Sequence, residues 1–563
     1  MRPGQDDARG SGQHGLAEIG RGGSLNLVGA AVAGLTTLGI ALVVTHQYSK
    51  PEAGAFFTAT SAFLVIEAVA SLGANTGLVY FIARLRALDA ITRIPAILRA
   101  AIIPVVIASV VATALLWGLA SPLAHILLSG SQAHGEVTSS GVAEALRALA
   151  FMLPFAALLD TFLGATRGYR TMRPTVMVDR IGRQLCQVAG VLVAGLLGST
   201  ALLMPLWALP YLPAAIVAWL WLRSIRGGQA PNMVNVGSVP PGRATLTSPP
   251  RPVTRTDPRR DAKEDPFGGR RMQRALATAT PAGFWRFTTP RAIVGLLSML
   301  LLRLDIVLVA IIKGPAWAAV YAAASGFLGV GRLGSLALQW AAEPRFTELL
   351  TLRDRNGANL VYQATTAWLT LLTWPFYLLA IVDGKELLGI FGHSYRAGST
   401  VLIILGFSMM LGTACGQVST VLLMSGRSTW NLYNGLAQVL VMVGLDLWLI
   451  PWLGITGAAI GWGAAIAVGN VVPLVQLAVV LRLHPFGRGT LIAMLLSTVC
   501  LGAFPLAMRQ VFGTGIVPLA VSVVGGCLLL LAGLWRFRSP LSLSSLPGVS
   551  ALSSRLLRMT ARA

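Results

Sequence analysis

The chain has 563 residues, of which 55% are hydrophobic and only 12% are charged, and its mean hydropathy is +0.70. Soluble domains carry about 25% charged residues, so this composition excludes an ordinary soluble globular protein. The net charge of +23 would fit nucleic-acid binding in a soluble chain. Here the Lys and Arg residues lie between apolar runs, where they orient a membrane protein and contact anionic lipids. We therefore expect membrane lipids as partners and no nucleic acid.

Apolar runs near the ~20 residues that cross a bilayer recur along almost the whole sequence. They predict an all-α polytopic membrane protein with about 14 transmembrane helices, arranged as two six-helix lobes and two extra helices. The predicted units, in chain order, are a disordered cytoplasmic tail (1–24), an N-lobe (25–222), a basic disordered cytoplasmic linker (223–286), a C-lobe (287–481), two extra helices (482–535) and a basic cytoplasmic tail (536–563).

The basic residues lie mainly in alternate loops and therefore predict the orientation of the chain. Arginines follow the second, fourth, eighth, tenth and twelfth predicted helices and fill the linker, whereas the other loops hold few, such as Lys50 and Lys385. The positive-inside rule then predicts a multi-pass protein of the cytoplasmic membrane with both termini in the cytoplasm. The linker is too polar to bury a core. Its sequence leaves open whether it binds a partner, is phosphorylated or only tethers the lobes.

Two stretches of the sequence resemble each other and indicate an internal repeat. When Pro51 is aligned with Pro315, five of the next thirteen positions, counting the prolines, are identical, and Phe57 meets Tyr321. Each copy would span six helices, an even number, so the lobes would share one orientation and be related by an axis along the membrane normal. Parallel repeats of this kind occur in transporters that rock two halves about a central site. The repeat therefore favours alternating-access transport, with a duplicated scaffold as the alternative.

Charged residues inside predicted helices are the candidates for function, because a charge at mid-membrane costs roughly 2.5–3.5 kcal/mol. Arg303 and Asp305 lie near the middle of the seventh predicted helix, two residues apart and on nearly opposite sides. We expect Arg303 to face a central cavity, the alternative being a structural pair with a neighbouring helix for each residue. Arg332 and Glu67 occupy nearly equivalent positions in the two repeats, which suggests the hypothesis that they meet across the cavity. The alternative is a static structural pair or a protonated, inert Glu67.

Three longer motifs resemble the polysaccharide flippase branch of the multidrug/oligosaccharidyl-lipid/polysaccharide exporter superfamily, to which lipid II flippases are related. The first is Gly54 and Phe57 with the following 72–84 segment, and the second is LLRLDIVLVAIIKGPAWAAVYAAAS over 301–325. The third is LDLWLIPWLGITGAAIGWG over 445–463, in which Asp446 stands where the family usually has Asn. The matching features are spread over most of residues 25–481.

This resemblance implies a V-shaped, two-lobed flippase that moves a polyprenyl-diphosphate-linked oligosaccharide from the inner to the outer leaflet for cell-surface polysaccharide biosynthesis. Arginine suits such a substrate because its planar guanidinium binds phosphate oxygens in pairs. The substrate-binding candidates are Arg303, Arg332, Glu67 and Asp305, and the coupling candidates are Glu67, Asp305 and Asp446.

Other roles follow less well from the sequence. We expect no enzyme activity, no catalytic residues, no metal site and no cofactor, with transport coupled to a proton, a sodium ion or the membrane potential. The four cysteines lie in apolar runs without metal-binding spacing, and no Walker motif is present. The expected partners are the lipid-linked oligosaccharide and a polysaccharide polymerase or glycosyltransferases. The alternatives are a multidrug/cation antiporter, a lipid II flippase, a membrane enzyme and a scaffold without transport activity.

Overall fold

The computed structural model describes residues 29, 31–130, 138–227, 280–329, 331–352, 354–513, 515–537 and 541. Over these ranges the chain is helical and has no β-strand, which confirms the predicted all-α membrane fold. In the hydrocarbon region no water is available to bind backbone NH and C=O groups, and a helix satisfies these groups by its own hydrogen bonds. The predicted N-terminal tail, most of the predicted C-terminal tail and most of the linker lie outside the described residues.

Within the described residues, the N-lobe begins with α1 (Ala31–Gln47) and comprises nine α-helices, over the segments where six membrane crossings are predicted. The others are α2 (Lys50–Ala70), α3 (Ala74–Ala87), α4 (Ile94–Gly118), α5 (Ala120–Leu127), α6 (Ser139–Gly168), α7 (Gln184–Leu196), α8 (Thr200–Ala208) and α9 (Tyr211–Gly227). A π-helical segment, Thr175–Arg183, leads directly into α7. Short breaks divide some crossings in two, so helices outnumber crossings.

The C-lobe begins with the longest described helix, α10 (Pro281–Lys313). It continues through α11 (Pro315–Gly329), α12 (Arg332–Thr351), α13 (Arg355–Val382), α14 (Gly384–Gly389), α15 (Ser399–Ala414), α16 (Val418–Met424), α17 (Ser428–Leu453) and α18 (Ile455–Val480). The last two crossings are α19 (Arg488–Thr498), a π-helical turn and α20 (Phe504–Phe512), and then α21 (Ile516–Arg536).

Eleven described spans are long and apolar enough to cross a membrane. The other three predicted crossings have specific reasons for falling short. The described part of the first is short, the fifth carries Asp179, Arg180 and Arg183, and the eighth is divided into α11 and α12. The linker bounds also differ from expectation, since α9 continues to Gly227 and α10 already starts at Pro281. Sequence composition places such helix ends only within a few residues.

Glycines let the two lobes approach closely at the end where α2 starts and α10 ends. A Cβ atom on Gly54 of α2 would overlap the carbonyl oxygen of Pro315 at the start of α11, and a Cβ on Gly130 would meet the backbone of Gly314. The Ser129 hydroxyl donates a hydrogen bond of 3.1 Å to the carbonyl of Ile311 at the same place. The lobes are therefore closed against each other at this end, which the arginine distribution predicts to be the outer one.

The opposite half of α10 rests on α3 of the N-lobe. The rings of Tyr80 and Phe287 are stacked with centroids 4.0 Å apart, and Phe81 packs against Phe284. The turn before α3 contains Gly73 at φ 62°, and a Cβ there would clash with Ala292. The long helix α10 thus contacts the N-lobe on both sides of the middle of the membrane, and a cavity remains between these contacts.

Candidate functional site

A cavity of about 570 Å³ lies between the two lobes. The N-lobe contributes residues of α1, α2, the start of α7, α8 and α9, and the C-lobe contributes residues of α10, α11, α15 and α18. Its size is that of a typical small-molecule site. The cavity is lined by charged or amide side chains, by Tyr211 and by several Ser and Thr hydroxyls, and much of the remainder is apolar or aromatic. The charged and amide side chains are Arg183, Gln184, Gln187, Arg303 and Asp305.

Arg303 lines this cavity from the middle of α10, where it is partly buried. The neighbouring wall is fixed by Trp462 of α18, whose indole nitrogen donates a hydrogen bond of 2.9 Å to the carbonyl of Leu301. Asp305 also borders the cavity, although only 3% of its surface is exposed. The structure therefore places both residues of the predicted pair at the cavity, with Arg303 the more accessible.

Asp305 is held by a tyrosine of the next helix. The hydroxyl of Tyr321 donates a hydrogen bond of 2.6 Å to its carboxylate, and the backbone NH of Ile306 donates another of 2.8 Å. The repeat aligns Tyr321 with Phe57, which has no hydroxyl, so the N-lobe has no equivalent of this bond. The arrangement is therefore particular to the C-lobe and was not inherited from the packing that the repeats share.

Asp446 lies in α17 behind this pair and is completely buried. Neither of its carboxylate oxygens has a hydrogen-bond partner among the described residues, and its charge interacts with that of Asp305. Gly461 makes room for it, since a Cβ there would overlap the carboxylate. Two neighbouring buried carboxyl groups are unfavourable as two bare charges.

The N-lobe side of the cavity holds a second charged group, centred on Arg183. Its Nε donates to the carboxylate of Asp179 at 2.7 Å and its Nη1 donates to Gln187 at 2.9 Å. The guanidinium lies 4.7 Å from the ring centroid of Tyr211. Glu67 of α2 interacts electrostatically with this group. Arg183 is thus oriented toward the cavity by three neighbours, and its charge is partly balanced by Asp179.

Sequence reasoning missed Arg183, which lies in the fifth predicted helix close to two further charged residues, Asp179 and Arg180. One signal was present. Asp179, Arg183 and Gln187 follow one another at intervals of four and so share one helix face. A polar stripe on one face of a membrane helix indicates a cavity or a partner helix. The stripe would have predicted an inward-facing polar surface.

The remaining predicted residues are placed less completely. The backbone of Arg332 starts α12, and its side chain lies outside the described residues, so its pairing with Glu67 stays a prediction. The described charged neighbours of Glu67, which include Asp160 and Arg183, all belong to the N-lobe. Asp160 accepts a hydrogen bond of 2.6 Å from Asn75 and lies 3.7 Å from Arg167. The charged group around Glu67 therefore carries both signs of charge, and of its members Arg183 lines the cavity.

No family model and no curated protein matches the chain. Several solved structures do. The inward closed conformation of the lipid II flippase MurJ aligns with a TM-score of 0.64 at 13% identity, covering 91% of this chain and 99% of that one. An inward-facing multidrug resistance MATE family transporter of the MOP superfamily aligns with a TM-score of 0.55 at 15% identity, covering 80% and 94%.

A mutant of the Vibrio cholerae MATE transporter VcmN aligns with a TM-score of 0.54 at 14% identity, covering 83% of this chain and 97% of that one. At such identities the likeness concerns the fold. The high coverage of each neighbour means that both lobes take part in the alignment. The chain therefore has the helical membrane fold shared by MurJ and the MATE transporters of the MOP superfamily.

Proposed function

We propose that this protein is an alternating-access flippase that carries a polyprenyl-diphosphate-linked oligosaccharide from the inner to the outer leaflet of the cytoplasmic membrane, for cell-surface polysaccharide biosynthesis. The observation that carries the proposal is the cavity between the lobes, which offers Arg303 and Arg183 from opposite walls. The fold shared with MurJ supports it at the level of a transporter. No covalent bond of the substrate is made or broken, so the protein is not an enzyme.

The cavity chemistry suits a headgroup that is anionic at one point and polar elsewhere. Arg303 and Arg183 would bind the diphosphate, since guanidinium groups stay charged when buried and bind phosphate oxygens in pairs. In the unloaded protein, Asp179 would partly neutralise the charge of Arg183. The diphosphate would therefore compete with Asp179 for Arg183 when it binds. Gln184 and Gln187 lie beside Arg183 and offer amide groups to sugar hydroxyls. Arg332, Glu67 and Asp305 remain candidates for the same cavity.

The energy for transport would enter through the buried carboxyl groups. The proposed coupling residues are Asp305 and Asp446 in the C-lobe and Glu67 in the N-lobe, where binding of a proton or a sodium ion would change the local charge. Of these, Asp305 lines the cavity. A membrane potential would act on the same charges. Asp305 borders the cavity, and Asp446 lies behind it. Uptake of a cation by either carboxyl group would therefore change the electrostatic potential at Arg303.

A lipid II flippase is the second candidate, and the alignment with MurJ is the observation that favours it. Its substrate carries the same kind of diphosphate on the same kind of lipid and differs in the sugars. A multidrug/cation antiporter is the third, supported by the MATE alignments. Two arginines in the cavity would repel a cationic substrate, so an antiporter for cations is the least favoured of the three candidates.

The experiment is deletion of the protein followed by mass spectrometry of polyprenyl-linked glycans, with leaflet-specific labelling of their sugars. We expect one lipid-linked oligosaccharide to accumulate in the inner leaflet and to return to normal when the wild-type protein is restored. Accumulation of lipid II would select the second candidate. An unchanged lipid-linked glycan pool, together with altered drug sensitivity, would contradict the flippase proposal.

A further inference from the structure

A groove of about 550 Å³ opens on the flank of the N-lobe, away from the central cavity. Its walls are α4 and α9, and α6 forms its floor through Phe162 and Tyr169. The groove lies at the end of these helices that the arginine distribution predicts to be cytoplasmic. Nothing in the proposed transport cycle uses it.

The groove changes from polar to apolar along its length. Its mouth is formed by Arg223 and Arg226, both exposed, at the end of α9. Its deeper part is formed by apolar side chains of α4, among them Leu98 and Ile102, and by Phe162. A phospholipid has the same sequence of polarities, because its charged headgroup lies at the surface and its acyl chains run toward the bilayer centre.

The two arginines are positioned by aromatic and not by acidic neighbours. The guanidinium of Arg223 lies 5.6 Å from the ring centroid of Trp219, and Arg226 interacts electrostatically with the hydroxyl end of Tyr169. Neither arginine forms an ion pair with a carboxylate within the part of the chain that the structure describes. Arg86 adds a third cation near the mouth, where its Nη1 donates a hydrogen bond of 2.9 Å to the carbonyl of Tyr169.

We infer that this groove binds an anionic phospholipid of the inner leaflet, with the phosphate between Arg223 and Arg226 and one acyl chain between α4 and α9. Basic pockets between membrane helices at the cytoplasmic face are suited to such headgroups. The linker sequence that follows α9 has an excess of Lys and Arg, so its net charge does not complement the two arginines, whereas an anionic headgroup does. A zwitterionic lipid would bind less well, because the positive charge of its headgroup would lie near the two arginines at the mouth of the groove.

The test is native mass spectrometry of the full-length protein in detergent, titrated with phosphatidylglycerol or with phosphatidylcholine of the same acyl chains. We expect a saturable phosphatidylglycerol adduct that is stronger than the phosphatidylcholine one. The double variant Arg223→Gln/Arg226→Gln should bind phosphatidylglycerol about thirtyfold more weakly, since each arginine near a membrane surface contributes about a factor of five. Ile102→Trp fills the apolar part without changing charge and should also remove the adduct.

The matched control is Arg482→Gln/Arg488→Gln, which removes two exposed arginines from the same predicted membrane face of the C-lobe. It should leave the adduct unchanged, and gel filtration should show that all variants remain monodisperse. Equal binding of the two lipids by the wild-type protein, or an unchanged adduct in the Arg223/Arg226 variant, would overturn the inference. Displacement of the lipid by excess glycerol phosphate would also overturn it, since the groove would then be a site for soluble phosphate.

Discussion

At the residue scale, the two cavity arginines are held differently, and this difference bears on their roles. Arg183 is fastened to Asp179 and Gln187, whereas Arg303 extends from a helix whose nearest acidic residue, Asp305, is engaged by Tyr321. A phosphate that enters the cavity would have to compete with Asp179 for the guanidinium of Arg183. Arg183 would contribute after its bond to Asp179 loosens.

We predict that Arg303→Gln lowers export of the lipid-linked oligosaccharide at least tenfold, because a charge-assisted contact to phosphate contributes about 1.5–3 kcal/mol. The measurement is the amount of lipid-linked oligosaccharide that accumulates in the inner leaflet. The matched control is Arg291→Gln on the same helix, where the exposed guanidinium stacks on Phe287 outside the cavity. Normal export by the Arg303 variant would remove this residue from the binding site.

We predict that Tyr321→Phe destabilises the protein, because the carboxylate of buried Asp305 loses its side-chain hydrogen bond. A hydrogen bond to a charged group contributes about 1.5–3 kcal/mol. The measurement is the apparent melting temperature in detergent, which should fall. Adding Asp305→Asn to the variant should restore much of the loss, since the neutral amide no longer needs the hydroxyl. A double variant no more stable than Tyr321→Phe would contradict this account.

At the element scale, the close approach of α2 and α11 depends on a single missing side chain. Gly54 allows the backbone of Pro315 to lie where a Cβ would otherwise be. The repeat aligns the start of α2 with the start of α11, so the two equivalent helix ends of the two lobes meet here. This contact closes one end of the cavity, and the proposed alternating access would require it to open.

We predict that Gly54→Ala shifts the protein toward a conformation that is open at this end, because the added methyl overlaps the Pro315 carbonyl. Distances between spin labels across the lobes, one near α5 and one near α14, should lengthen. Gly295→Ala is the control, since a Cβ at that position of α10 meets nothing within 4 Å. An unchanged distance distribution in the Gly54 variant would show that the contact does not determine closure.

The connection between α13 and α14 carries a buried acid outside the membrane spans. Burial and the neighbouring Glu386 raise the pKa of Asp383, while Arg509 opposes them. The folded protein therefore holds this proton more tightly than the unfolded chain does. We predict that the melting temperature falls as the pH rises from about 4 through the raised pKa. Asp383→Asn should reduce that slope, and the same change at exposed Asp89 should not.

At the scale of the whole molecule, the positive-inside distribution and the even helix count together predict that both termini and the linker lie in the cytoplasm. Epitopes placed in the linker and after Ala563 should be accessible only after the membrane is permeabilised. An epitope between α14 and α15 should be accessible in intact cells or spheroplasts. If the linker were labelled from outside, the predicted orientation would be wrong, and the Arg223/Arg226 groove would lie in the outer leaflet.

The sequence by itself determined the class of protein and marked Arg303 as a charge inside a membrane helix, because hydrocarbon imposes long apolar helices and makes each charge within them conspicuous. The spacing of four residues also indicated that Asp179 and Arg183 share one helix face. Only the tertiary structure decided that Arg183 and Arg303 line the same cavity and that Asp305 accepts a hydrogen bond from Tyr321. The physical reason is that the hydrophobic pattern specifies which segments enter the membrane, whereas the close fit between helices specifies which polar side chains meet inside it.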